Sequence, residues 1–144
     1  MSSKCLWILV ALLIFSINFL PAFALSELQM VSIEEPRLVN AFGGSIGNNV
    51  NVDQQVQIAA EVTNNQEQSQ KIAYLVQIKN KESFVVFLGW VVGVELNPHQ
   101  KFDQSLSWLP KESGEFTAEI FVWEGFPVNS KALTEYSTIQ INVT

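Results

Sequence analysis

The side chains able to do chemistry are few. His99 is the only histidine, and it sits in the turn Leu96-Asn97-Pro98-His99, where it reads as a solvated residue. Nucleophilic catalysis needs a base held against a serine or thiol by a third group. The one cysteine, Cys5, lies in an apolar N-terminal segment, so thiol chemistry is absent from the rest of the chain. Glu34, Glu35, Asp53, Glu61, Glu119 and Glu124 could in principle supply a carboxylate pair. Glycoside hydrolysis needs two such groups at a fixed separation beside a sugar cleft, and a small domain with short loops offers little cleft. These acids read as ordinary solvated groups. A blue-copper site requires a cysteine and two histidines, and a zinc site requires more His or Cys than this chain holds. No Asp-x-Asp-x-Asp spacing suggests a calcium loop, although loop oxygens leave calcium open. The reading is a non-enzyme with no catalytic residue, no cofactor and no assigned metal ligand.

The aromatic residues carry more information. Phe116, Ala118, Ile120 and Val122 alternate with Thr117, Glu119, Phe121 and Trp123. If the first set faces a core, Phe121 and Trp123 face the other way. Phe87 and Trp90 belong to a long apolar run, and Phe126 lies in the following loop, Gly125 to Ser130. Phe87, Trp90, Phe121, Trp123 and Phe126 are therefore the candidate interaction patch. Exposed apolar patches mark partner surfaces, and aromatics dominate interface energy. The alternative is that neighbouring strands or the Gly125–Ser130 loop cover this face. Trp108, which shares a face with Phe102, Gln104 and Leu106, reads as core.

These residues must be positioned by strands. Val56, Ile58, Ala60 and Val62 alternate with mostly polar neighbours, the period-two signature of a half-buried strand. Asn64 to Gln70 is a polar break, after which Tyr74, Val76 and Ile78 alternate up to a turn at Asn80-Lys81-Glu82. Phe84 to Val94 is apolar apart from Gly89 and Gly93, and reads as one or two buried strands. Pro110 to Gly114 is a turn, and Ile139, Ile141 and Val143 share a face of the last strand. Gln29 to Ile33 and Leu38 to Phe42 read as two strands separated by Pro36, which removes a ladder donor and belongs at an edge. No helical stripe appears beyond the N-terminus. Seven or eight short strands with these turns predict an antiparallel sandwich or barrel.

The N-terminus sets the expected compartment. Lys4, the apolar run from Cys5 to Leu20, and Ala22-Phe23-Ala24 follow the order of a secretory signal, with Ala22 and Ala24 at the small-residue cleavage site. The predicted division is a signal peptide over residues 1–24 and one domain over 25–144. An uncleaved membrane-anchoring helix is the alternative, since the run is near the shortest that spans a bilayer. Membrane contact is expected only through this segment. The 144-residue chain has 8 basic and 14 acidic side chains, a net charge of −6. Phosphate repels such a surface, which argues against nucleic acid as a partner.

The stretch Val52 to Asn65, an alternating strand ending in Val62-Thr63-Asn64, resembles the second strand of immunoglobulin-like modules of the CARDB type. Leu96-Asn97-Pro98-His99-Gln100 is similar to their Leu-x-Pro-Gly-x turn, and Gly114-Glu115-Phe116 to their Gly-x-Tyr turn and strand. His99 stands where that turn has glycine. Phe116 stands where the corner tyrosine would be, so the corner hydroxyl bond is lost. Ser107-Trp108-Leu109-Pro110 and Phe121-Val122-Trp123-Glu124 resemble patterns in single-domain secreted proteins of archaea. The resemblance implies an immunoglobulin-like antiparallel β-sandwich at the cell surface or envelope. It would act without catalysis, binding a surface or envelope protein or packing in an assembly. Two alternatives stand beside this: a glycan-binding module stacking sugars on Trp90 and Trp123, and an accessory subunit anchored to a membrane complex.

Overall fold

The computed structural model describes residues 25–125 and 130–144. Residues 1–24, with the cleavage positions Ala22 and Ala24, and residues 126–129, with Phe126, lie outside the described residues.

Nine strands form two sheets: β1 (Val31–Val39), β2 (Ser45–Ile46), β3 (Asn49–Val50), β4 (Val56–Asn64), β5 (Gln70–Asn80), β6 (Val85–Leu96), β7 (Lys101–Trp108), β8 (Gly114–Trp123) and β9 (Ser137–Val143). One sheet has the order β2-β1-β4-β7 and the other β3-β9-β8-β5-β6. Every pairing is antiparallel except β3 with β9, two residues long and parallel. The two shortest strands account for the count exceeding the seven or eight expected.

The core lies where the period-two patterns predict. Val56, Ile58, Ala60 and Val62 of β4 are completely buried, as are Tyr74, Val76 and Ile78 of β5 across the sandwich and Ala118, Ile120 and Val122 of β8. Removing each large aliphatic group from water contributes about 1.5–3 kcal/mol. Trp108 is buried and meets Phe116 edge-on at 5.4 Å, closing one end of the sandwich. The Tyr74 hydroxyl donates to the Ile58 carbonyl at 3.4 Å, joining the layers with a buried polar contact. Burial holds that phenol well above its ordinary pKa.

Two expectations are corrected. The segment around Pro36 is one strand, not two. β1 runs through Pro36 with a register shift between Glu34 and Arg37, and Glu35 takes a φ of 48° in the bulge. The bulge absorbs the missing donor, and β2 pairs only with Leu38 and Val39, leaving that side of Pro36 open. The apolar run after Phe84 is one strand, and it is not buried: β6 is the last strand of its sheet and much of it is solvent-exposed.

Candidate functional site

The outer faces of the two sheets differ sharply. On the four-stranded sheet the face is polar and internally paired. Arg37 meets Asp103 at 2.7 Å, and Lys101 meets Glu61 at 2.6 Å and Glu34 at 3.6 Å. Ser105 donates to Gln57. The hydrogen bond that Lys101 donates to Glu61 is the main reason that its ammonium is held above its usual pKa. Asp53 pairs with Lys111, and the exposed His99 imidazole lies 3.2 Å from Glu67. Each of these acids faces a cation or imidazole at the surface. Among the described residues, no three His, Cys, Asp or Glu side chains come together to hold a metal.

The five-stranded sheet carries the aromatic face. Its register defines rows running across β6, β5 and β8. Val92 stands opposite Ala73, and Ala73 opposite Trp123. In the next row Trp90 stands opposite Leu75, and Leu75 opposite Phe121. In the third, Leu88 stands opposite Gln77, and Gln77 opposite Glu119. Directly opposed residues point to the same side of a sheet, so Trp90, Phe121 and Trp123 share this outer face. Phe121 packs edge-on to Trp123 at 6.3 Å and stacks on Tyr136 at 5.5 Å. Ala73 and Leu75 are buried although they point away from the core, because the larger side chains of β6 and β8 flank them. The result is an apolar surface with a floor of β5 side chains and aromatic sides. Trp90 is 47% exposed, Leu88 49% and Tyr136 54%.

A polar boundary limits this surface. Glu119 accepts hydrogen bonds from Gln77 at 2.8 Å and Lys79 at 2.9 Å, so its charge is compensated beside the apolar rows. At the other end, residues 131–134 run back along β8. Glu124 N–H donates to the Lys131 carbonyl, and Leu133 N–H donates to that of Val122. Val31 N–H in turn donates to the Leu133 carbonyl, fixing this segment to the opposite sheet.

Phe87 lies elsewhere. It pairs with Ile78, whose side chain is in the core, so its ring points between the sheets. It occupies the rim between edge strands β6 and β7. A Cβ at Gly89 would lie 2.8 Å from the tip of the Phe87 ring and 3.6 Å from Leu106, so the missing side chain at Gly89 gives the ring its place. A groove of about 240 Å³ remains at the end of that rim, lined by Val86, Trp108, Leu109, Lys111, Glu112 and Phe116. Leu75, Leu88, Val92 and Tyr136 belong to the aromatic face and escaped the sequence reading. The alternation of Leu88, Trp90 and Val92 was the available signal, hidden because the residues between them are also apolar.

No family model matches this chain, and no curated protein matches it. Solved structures do. The C-terminal domain of wzt superposes with a TM-score of 0.68 at 16% identity, covering 80% of this chain and 74% of that one. A CARDB domain from Pyrococcus furiosus, in complex with di-metal ions, matches with a TM-score of 0.55 at 15% identity over 83% of this chain and 97% of that one. A Paenibacillus cycloisomaltooligosaccharide glucanotransferase matches with a TM-score of 0.60 at 17% identity, over 78% of this chain but only 14% of the enzyme. The fold is an immunoglobulin-like β-sandwich of the CARDB type. At these identities the likeness is one of architecture.

Proposed function

We propose that the protein is a non-catalytic binding module, exported to the cell surface or envelope, that engages a protein partner through the outer face of its five-stranded sheet. The observation that carries this reading is the asymmetry of the two outer faces. One is laced with ion pairs. The other presents Leu88, Trp90, Val92, Phe121, Trp123 and Tyr136 over a buried apolar floor. Water-exposed aromatic surface of this kind is retained where something covers it. The likeness to a separate C-terminal domain and to a CARDB domain, each a unit of comparable size, supports a module rather than a catalytic domain. Export rests on the signal-like N-terminus.

A photo-crosslinking residue at position 136, read against the same residue at Ser105 on the polar face, tests this in intact cells. The expected result is a discrete cross-linked protein from position 136 alone. Equal labelling from both positions would overturn the reading. Exposed Trp90 on the same face as Trp123 favours a second reading, stacking on sugar rings. Glycan-array binding lost on Trp90→Ala, with no protein cross-link at position 136, would support that instead.

A further inference from the structure

Strand β6 ends its sheet, and among the described residues no strand pairs with its second edge. Open edges invite pairing, and natural sheets blunt them with charges, prolines, bulges or short length. The other sheet edges here follow that rule. β2 and β3 are two residues long, and β7 carries Lys101 and Asp103 in ion pairs. β6 does not. It is 12 residues long and has neither charge nor proline from Val85 to Val94. Its two bulges fall at Val86 and at Gly93, where a φ of 76° suits glycine. They leave Phe87 to Val92 regular between them.

We propose that β6 pairs antiparallel with β6 of a second copy of this chain about a two-fold axis, joining the two five-stranded sheets into one continuous sheet. This goes beyond the partner-binding role above and does not depend on it.

Three observations favour a second copy as the occupant. The first is area. Val85, Val86, Leu88, Trp90 and Val92 are each about half exposed, so at most roughly 500 Å² per copy is open to be covered, an upper bound that matches the ~1,000 Å² total of a specific interface. The second is charge. The chain is acidic, and two copies repel unless the contact is neutral. From Val85 to Val94 the edge is uncharged. The nearest charges on the outer face are already compensated, Lys79 by Glu119 at 2.9 Å, while Lys71 stands opposite Glu95 in the ladder. The third is self-complementarity, which an isologous contact demands. With Trp90 on the axis, Leu88 faces Val92 of the other copy, and all three side chains keep to the outer face. The aromatic surfaces of the two copies then adjoin.

Sedimentation equilibrium and amide hydrogen exchange test this on the protein expressed as the full chain and purified as the host processes it. The expected result is a concentration-dependent dimer in which the amides of residues 87–92 gain protection as the dimer forms. Leu88→Lys places like charges at the paired edge and is expected to weaken the dimer at least a hundredfold while leaving the far-ultraviolet circular-dichroism spectrum of the folded protein unchanged. Tyr136→Lys, on the same face but away from the edge, should leave the dimer intact, whatever it does to partner binding. A monomer at every concentration would overturn the proposal. So would a dimer without protection at 87–92, or one lost on Tyr136→Lys and retained on Leu88→Lys. The exchange measurement on the unaltered protein decides the matter if Leu88→Lys fails to fold.

Discussion

Asn64 and Leu96 are 32 residues apart, and the Asn64 amide donates to the Leu96 carbonyl at 3.2 Å inside the protein. The same nitrogen donates to the carbonyls of Asn97 at 3.0 Å and Gln68 at 2.8 Å, while the amide oxygen accepts from the Gln66 N–H. One fully buried side chain thus ties the end of β4 to the β4–β5 loop and to the turn after β6. Asn64→Ala strands these carbonyls. Each unsatisfied buried group costs about 1–3 kcal/mol, less where water can enter. The expected loss is about 2–4 kcal/mol of stability, read by urea unfolding, with hydrogen exchange rising first at residues 96–100.

Phe87 and Gly89 form the second coupled pair. A methyl group at Gly89 would collide with the far end of the Phe87 ring, which can swing aside only by leaving the rim beside Leu106. Gly89→Ala is expected to cost about 1–3 kcal/mol through this displacement. With the ring already removed in Phe87→Ala, adding Gly89→Ala should cost much less. A double-mutant cycle by denaturant unfolding measures the coupling, expected at about 1 kcal/mol. Additive costs would mean that the ring does not depend on the glycine.

These two pairs show what was legible in the sequence. The strands β4, β5, β8 and β9 were readable because each has one buried and one more polar face, and period two survives in the residue types. β6 was not, because an edge strand with apolar residues on both sides looks the same as a strand buried in a core. Only the sheet order separates the two cases. Among the candidate patch residues, the parity of Phe121 and Trp123 within β8 puts both on the side away from the core, which is the side the register gives them. Phe87 and Trp90 are close in sequence, but their odd and even positions put them on opposite sides of the strand. The Val62-Thr63-Asn64 and Leu96-Asn97 motifs are each visible in the sequence, yet the bond between them depends on tertiary geometry that spacing does not reveal.

His99 holds a φ of 57° in the turn that begins at Asn97, where the Gln100 N–H returns to the Asn97 carbonyl. The left-handed conformation favours glycine at this position, since a Cβ is crowded at positive φ. His99→Gly relieves that crowding and gives up an exposed contact with Glu67, which contributes little at the surface. Glycine also has more freedom in the unfolded chain, so the net gain is small. Stability is expected to rise by up to about 1 kcal/mol in thermal unfolding. A drop would show that the Glu67 contact or the ring packing outweighs the backbone.

Tyr74 makes alkaline stability a property of one buried phenol. Its ordinary pKa is 10.0, and burial raises it well above that in the folded protein. The unfolded chain ionises this group above about pH 10 while the folded chain keeps it protonated, so rising pH favours unfolding. The contribution is complete below the unfolded value and declines above it, by up to ~1.4 kcal/mol per pH unit until the folded group itself titrates. Lys101 and Lys131 act in the same direction. The hydrogen bonds they donate to Glu61 and Glu27 raise their pKa values, so deprotonation weakens those contacts in the same range. Tyr74→Phe keeps the lysines and removes the phenol, at the cost of one long hydrogen bond to Ile58. Its stability should therefore fall less steeply than that of the unaltered protein between about pH 10 and 12. The chain has two tyrosines, Tyr74 and Tyr136. In Tyr136→Phe, which leaves Tyr74 as the one phenol, phenolate absorbance should stay absent from the folded protein at about pH 11 and appear only as the fold is lost. Phenolate absorbance from the folded variant at that pH would show that water reaches Tyr74 through an opening between the sheets.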